Sequence, residues 1–293
     1  MSSKWQTLII ESPSKLRINN NFLEVDSDKG TKLVPMHQLK MVIVQTQRCS
    51  LSVPLINALA YNGVKLVICD SKHNPSCELI CGESTYYKPG NILRQAKWDN
   101  AKKDFIWKEI VHSKINCQIA MLCNCDIAVP EKMWQYYHEV KLGDITNMEG
   151  QAARLYLHSL FGKNFNRRTD NSINHALNYG YSILLSNTNR IITSHGYNLA
   201  IGIKHHNMYN PYNLSCDIME PFRAAIDQVV YKNMNRELDN DYKLTLVSSL
   251  RKEIVIDGSR YTLDDAIEKY FLDIVDYLND HKIYSMREVQ IAG

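Results

Sequence analysis

The sequence predicts an α+β protein, with a small N-terminal β-rich domain followed by a larger all-helical C-terminal domain. Three observations carry this. Short β-branched and aromatic runs, separated by turn residues, fill the chain up to about Ile80. From about Lys88 that texture gives way to long segments of helical period. Strands and helices do not alternate along the chain, as they do in a parallel α/β fold.

Strands are expected at Thr7 to Glu11, Leu16 to Ile18, Phe22 to Val25, Leu33-Val34, Met41 to Val44 and Val64 to Cys69, with Cys77 to Ile80 as the last. Ser12-Pro13, Asn19-Asn20-Asn21 and Lys29-Gly30 supply turns between them. One short helix interrupts the strands. Ser52 suits its cap, Pro54 its first turn, and Leu55, Ile56, Leu59 and Ala60 its apolar stripe, before Asn62-Gly63 ends it. Helical segments follow at Ile92 to Cys123, Met148 to Phe161, Ile173 to Ser194, Ile218 to Met234 and Leu263 to Leu278. The expected domains are therefore 1–82 and 88–293, joined near Gly82 to Gly90.

With 293 residues, 45% of them hydrophobic, the chain can bury a real core. Its 34 basic and 31 acidic residues leave only +3, so any nucleic-acid surface must be a local patch. No run of apolar residues is long enough for a membrane span, and the start lacks a signal-peptide core, so a cytoplasmic protein is expected. Cys77-x3-Cys81 and Cys123-Asn124-Cys125 lack the usual zinc spacing, which leaves reduced thiols as the expectation.

Three places concentrate chemistry. Glu149 sits among the small residues Gly150, Ala152 and Ala153, either as a site residue or as a solvated first-turn glutamate. His205 and His206 are adjacent, so at most one of them points at a given site. Asp217 and Glu220 stand three apart, a spacing that serves a ligand pair or a capping box equally well. Together these groups form a mixed O/N donor set suited to Mn²⁺ or Mg²⁺ and to phosphodiester chemistry. Lys204 and Arg223 neighbour these residues and are candidate phosphate contacts, or plain surface charges. Lys163, Arg167 and Arg168 form a basic cluster of a kind that usually faces solvent and that in a DNA-binding protein is the first place to seek backbone contacts. Tyr179 and Tyr181 read as core residues.

The run from Glu149 to Tyr156 resembles the E-G-x-A-A-R-x-Y stretch of CRISPR adaptation integrases. The run from Asn174 to Tyr181 is similar to their N-x-x-L-x-Y-G-Y helix. Gly202-Ile203-Lys204-His205 and Asp217-Ile218-Met219-Glu220-Pro221-Phe222-Arg223 resemble the histidine and D-x-M-E-P-F-R elements, in the same order. Ser52 to Asp70 resembles the end of the family's N-terminal domain, and length and motif form look closest to the type II branch.

The resemblance implies a metal-dependent DNA integrase that joins 3′-hydroxyl ends of short fragments into a CRISPR repeat array by transesterification. It implies Glu149, His205 and Glu220 as ligands of Mg²⁺ or Mn²⁺, with Asp217 as a supporting carboxylate. The histidine of the pattern stands twelve residues before the aspartate, which selects His205 over His206. It also implies a homodimer, two of which flank a dimer of a small ferredoxin-like adaptation subunit, double-stranded DNA as substrate, and other type II CRISPR proteins as partners. No GxxxxGK[ST] stretch occurs, in keeping with a reaction that needs no ATP. A structure-specific DNA endonuclease and a non-catalytic DNA-binding scaffold are the alternatives.

Overall fold

A computed structural model of the chain describes residues 6–71, 75–79, 88–280 and 289–291. Two compact units divide it: Met1–Pro89 with Thr193–Gly196, and Gly90–Ile192 with Tyr197–Gly293. Residues 80–87 lie outside the described residues, and with them Cys81 and most of the expected junction from Gly82 to Gly90.

The first unit carries β1 (Gln6–Ile10), β2 (Ser14–Asn19), β3 (Phe22–Ser27), β4 (Gly30–Pro35), β5 (Leu39–Val44), β6 (Cys49–Leu51), α1 (Val53–Tyr61), β7 (Lys65–Cys69) and β8 (Pro75–Leu79). One four-stranded sheet has the order β4-β3-β2-β6 and the other β1-β5-β7-β8. Leu16, Leu23, Leu39, Val42, Leu55, Leu59 and Leu66 belong to the unit's core. The Ser52 hydroxyl accepts the Leu55 N–H at 3.4 Å and starts α1, as its sequence predicts. Two features go beyond the sequence reading. β6 is only three residues long and leaves no period to detect. β1, β5 and β7 are parallel, because α1 carries the chain from β5 back to β7 in a crossover.

The second region is largely helical. It holds α2 (Lys88–Gln95), α3 (Asn100–Asn124), α4 (Glu131–Glu139), α5 (Met148–Phe161), α6 (Ser172–Ser194), α7 (Asn213–Met219), α8 (Arg223–Lys232), α9 (Asn240–Ser248) and α10 (Leu263–Leu278). The helix expected from Ile92 to Cys123 is two helices, since Asp99 accepts the Lys102 N–H at 3.0 Å and begins α3 afresh. α3 is buried over most of its circumference: Ile106, Ile110, Ile115 and Ile119 are enclosed, and so are Glu109, Lys114 and Gln118. A small sheet of β9 (Glu253–Ile256), β10 (Ser259–Thr262) and β11 (Val289–Ile291) accompanies the helices, in the order β10-β9-β11. Asp257 and Gly258, at φ 49° and 76°, make the two-residue turn between β9 and β10.

No helix among the described residues is long and apolar enough to cross a membrane. Cys49, Cys69, Cys77, Cys117, Cys123, Cys125 and Cys216 are free thiols.

Candidate active site

The start of α5 is held by two side chains before Glu149 is placed. Asp144 accepts the N–H groups of Met148 at 2.8 Å and Glu149 at 3.0 Å. Asn147, in the left-handed region at φ 54°, accepts from Gly150 at 3.2 Å. These bonds satisfy amides that a helix start leaves without internal partners. The Glu149 carboxylate is thereby free of capping duty and turns toward α3.

The segment from α7 to α8 is shaped by Pro221. Proline offers no N–H to the carbonyl of Asp217, and the chain tightens into a 3-10 turn at Glu220–Phe222. The Glu220 N–H instead closes onto Asp217 O. Asp217 is thus neither a helix cap nor an open ligand. It is fully buried and accepts from the N–H groups of Ile203 at 2.6 Å, Lys204 at 3.1 Å and His205 at 3.2 Å. Gly202 permits this wrapping, because a Cβ there would meet the His205 carbonyl at 2.3 Å and Asp217 Oδ2 at 2.8 Å.

Asp217 also receives the imidazole of His205, with Nδ1 2.6 Å from Oδ1. An Nδ1–H donated to the carboxylate leaves Nε2 as the open nitrogen. That hydrogen bond raises the His205 pKa; burial opposes it, and the charges of Asp217, Glu220 and Glu149 add to it. Trp107 meets the ring edge-on, 5.7 Å between centroids. His205 and Glu149 line one hollow together with Asp144, Asn147 and Lys204. His206 stands exposed at its rim, its Nδ1 directed at Lys204 O, 2.9 Å away.

Lys114 of α3 joins the two glutamates. Its Nζ lies 2.6 Å from Glu149 Oε1 and 2.7 Å from Glu220 Oε2. The Glu220 contact is close but off the direction a hydrogen bond requires, so Oε2 is a buried oxygen with no hydrogen-bond donor in line. Arg223 pairs with Glu220 Oε1 at 3.0 Å and lies over the Tyr181 ring, 4.8 Å from its centroid. Burial works to raise the pKa of Glu220, but Arg223 and Lys114 outweigh it and hold that carboxyl down at about 2. Burial disfavours the ammonium of Lys114, and Glu220 and Glu149 reverse this, so its pKa is raised.

A cavity of about 250 Å³ opens on this group, lined by Lys114, Glu149, Glu220, Arg223, Tyr181 and Arg167 among others. Behind it the hydroxyls of Tyr156 and Tyr181 both donate to Asp227, whose pKa burial pushes up to about 6 against those two bonds. Tyr179 is core, as expected, but Tyr181 is a wall of the cavity. A second hollow follows, lined by Arg154, His158, Lys163, Arg167 and Arg168, and shares Leu157 and Arg167 with the first. Arg167 is fixed by Asn174 at 2.6 Å and Asn178 at 2.7 Å. Asn174 in turn donates to the carbonyls of Asn166 and Thr169, which pins the basic loop to α6.

The residues singled out from sequence thus fall into three settings. Glu149, Glu220 and Arg223 meet at Lys114; His205 stands beside Glu149, with Asp217 behind it. Lys163, Arg167 and Arg168 line the neighbouring hollow. Lys204 does not reach these groups with its ammonium, which donates to Gly143 O at 2.7 Å and ties its loop to the start of α5. Sequence reasoning missed Lys114, Asp144 and Asn147. The last two carried a legible signal, as polar cap residues before a helix, whereas a lysine inside a long helix carries none.

Comparison with known proteins agrees in family and fold. The family model described as CRISPR associated protein Cas1 matches residues 8–253. The CRISPR-associated endonuclease Cas1 of Neisseria meningitidis is 31% identical over 277 residues, covering 90% of this chain and 89% of its own. Among solved structures, a Cas1 protein from Thermotoga maritima superposes with a TM-score of 0.81 at 16% identity, over 96% of this chain and 99% of its own. A casposase bound to integration product superposes with a TM-score of 0.80 at 18% identity, over 95% of this chain and 92% of its own. The chain belongs to the Cas1 family of CRISPR-associated proteins.

Proposed function

We propose that this chain is the metal-dependent integrase of a CRISPR adaptation system, joining 3′-hydroxyl ends of short DNA fragments into the repeat array by transesterification. The observation that carries the reading is the convergence of Glu149 and Glu220 on one cationic centre, the Lys114 ammonium, with His205 in the adjoining hollow. Two carboxylates and an imidazole are the donor types of an Mg²⁺ or Mn²⁺ site, although among the described residues no three such side chains already stand together as metal ligands, since Lys114 occupies the space between the glutamates. The buried Glu220 Oε2, with no hydrogen-bond donor in line, fits the same assignment. Glu149, Glu220 and His205 would hold the ion, which when bound supplies Lewis-acid stabilisation of charge on the attacking and leaving oxygens.

The chain's own residues do the rest. Asp217 holds His205 in one ring orientation and tautomer. Asp144 and Asn147 fix the turn from which Glu149 projects. Arg223 keeps Glu220 ionised. Lys163, Arg167 and Arg168 offer positive charge to a backbone entering along the second hollow. The casposase of the same fold is bound to an integration product, which is in keeping with this reading. Lys204 acts through its loop tie more than through a phosphate.

We also assign to this chain a homodimer built largely on residues 1–82, a small ferredoxin-like partner subunit and double-stranded DNA as substrate, on the motif resemblance. A chain beginning near Lys88 should then be monomeric by light scattering. A labelled fragment incubated with a supercoiled array plasmid and Mn²⁺ tests the activity. Joined product is expected. Nicked plasmid alone would favour a structure-specific endonuclease, and neither product would leave a binding scaffold.

A further inference from the structure

Lys114 is a charged side chain in the middle of a buried helix, 8% exposed. A buried ammonium persists only where opposite charge and hydrogen bonds compensate it. Here Glu149 and Glu220 do so. The local charge count closes: Lys114, Arg223 and Arg167 stand against Glu149, Glu220 and Asp227 around one cavity. Asp227 is also engaged by two tyrosine hydroxyls. The metal-free cluster is therefore neutral and closed on itself.

A divalent cation taking both carboxylates would end that balance. Lys114 and Arg223 would be left without their anions, in a cavity whose further wall, Arg167, is also positive. The cation's double charge is then uncompensated and attracts anions, and each phosphodiester that enters offsets one unit of it with accepting oxygens. The cavity continues into the basic hollow through Arg167 and Leu157, the direction from which such an anion would come.

We propose that Lys114 couples divalent-cation binding to nucleic-acid binding. In the metal-free protein it holds Glu149 and Glu220 together, and when a divalent cation takes those carboxylates its ammonium transfers to the phosphodiester in the same cavity. The proposal rests on the metal-site reading above. It makes Lys114 a positioning residue before the reaction and a phosphate contact during it. Because linkage is reciprocal, an oligonucleotide should tighten the metal as much as the metal tightens the oligonucleotide.

The test measures Mn²⁺ affinity by electron paramagnetic resonance of the free ion, on the full chain, with and without a short single-stranded oligonucleotide. In the wild type the oligonucleotide should tighten Mn²⁺ by about tenfold. Lys114→Met, with no resident cation, should bind Mn²⁺ about tenfold more tightly than wild type when alone, and the oligonucleotide should then alter its affinity by less than about twofold. Unchanged or weaker Mn²⁺ binding in Lys114→Met, with the oligonucleotide effect retained, would overturn the proposal. A wild type that binds no Mn²⁺ would instead overturn the metal site itself. If Lys114→Met does not fold, lysine-selective ¹⁵Nζ spectra of the wild type decide. Mg²⁺ should change one buried ammonium signal, and an unchanged spectrum at saturating Mg²⁺ counts against the coupling.

Discussion

Two groups of basic residues lie side by side and are built in opposite ways. Lys114 is buried and Arg223 half-buried, and both are matched by Glu149 and Glu220. Lys163 and Arg168 stand exposed with no carboxylate partner among the described residues, and Arg167, held by the amides of Asn174 and Asn178, links them to the cavity. The difference separates two tasks. Paired charge in a low-dielectric setting fixes the position of reactive groups, since each partner is costly to move alone. Uncompensated charge on an accessible surface supplies affinity for a polyanion, with strong salt dependence and little geometric demand.

The comparison breaks most visibly at Glu220. Glu220→Ala should abolish strand joining while leaving DNA binding measured without divalent cation within a small factor, and should cost about 3 kcal/mol of stability because Lys114 and Arg223 lose a buried partner. Denaturant melts and filter binding measure the two effects, and loss of DNA binding in a folded variant would erase the distinction between the groups. Asp217→Asn comes next. It keeps the shape but weakens the hold on His205, and should lower metal affinity or joining by about 10- to 100-fold. Lys163→Ala and Arg168→Ala should leave the chemical step untouched, weaken DNA binding, and each flatten the salt dependence of the binding constant by about one unit of slope. His206→Ala should change joining by less than about twofold, because its ring faces solvent. A large loss there, with His205→Ala silent, would reverse the roles given to the two histidines.

Acidity sharpens the same contrast. Glu220 has a folded pKa of about 2 against an ordinary 4.5, so the folded state favours its ionised form. Its contribution is complete above pH 4.5 and is lost as pH falls toward 2. Wild type should therefore lose more stability over that interval than Glu220→Gln.

Much of the fold was legible because the local signals agreed with the final structure. α5 and α10 begin and end at the residues their patterns predict. The misses have separate causes. Asp99 was a cap signal hidden inside a continuous run of helix formers, so two helices read as one. Asp257-Gly258 is a plain hairpin signal between Ile254 and Tyr261, in a stretch between two expected helices to which no element is assigned from sequence. At the site, motif resemblance singled out Glu149, His205 and Glu220, with Asp217 as a supporting carboxylate, whereas spacing alone left Asp217 undecided between ligand and cap. In the structure Asp217 accepts backbone amides some thirteen residues away in sequence, contacts that no local spacing reveals. Lys114 was invisible for a stronger reason. Its partners lie 35 residues or more further along the chain, and one lysine in a long helix resembles any other.

The central claim is that Glu149, His205 and Glu220 together hold a divalent cation, with Lys114 in its place when none is bound. Anomalous diffraction from crystals containing Mn²⁺ tests it most directly. The account predicts one strong peak at about 2.1 Å from a carboxylate oxygen of Glu149, a carboxylate oxygen of Glu220 and Nε2 of His205, with the Lys114 ammonium withdrawn from between the glutamates. A peak elsewhere, or Lys114 still bridging Glu149 and Glu220 in crystals saturated with Mn²⁺, would contradict it.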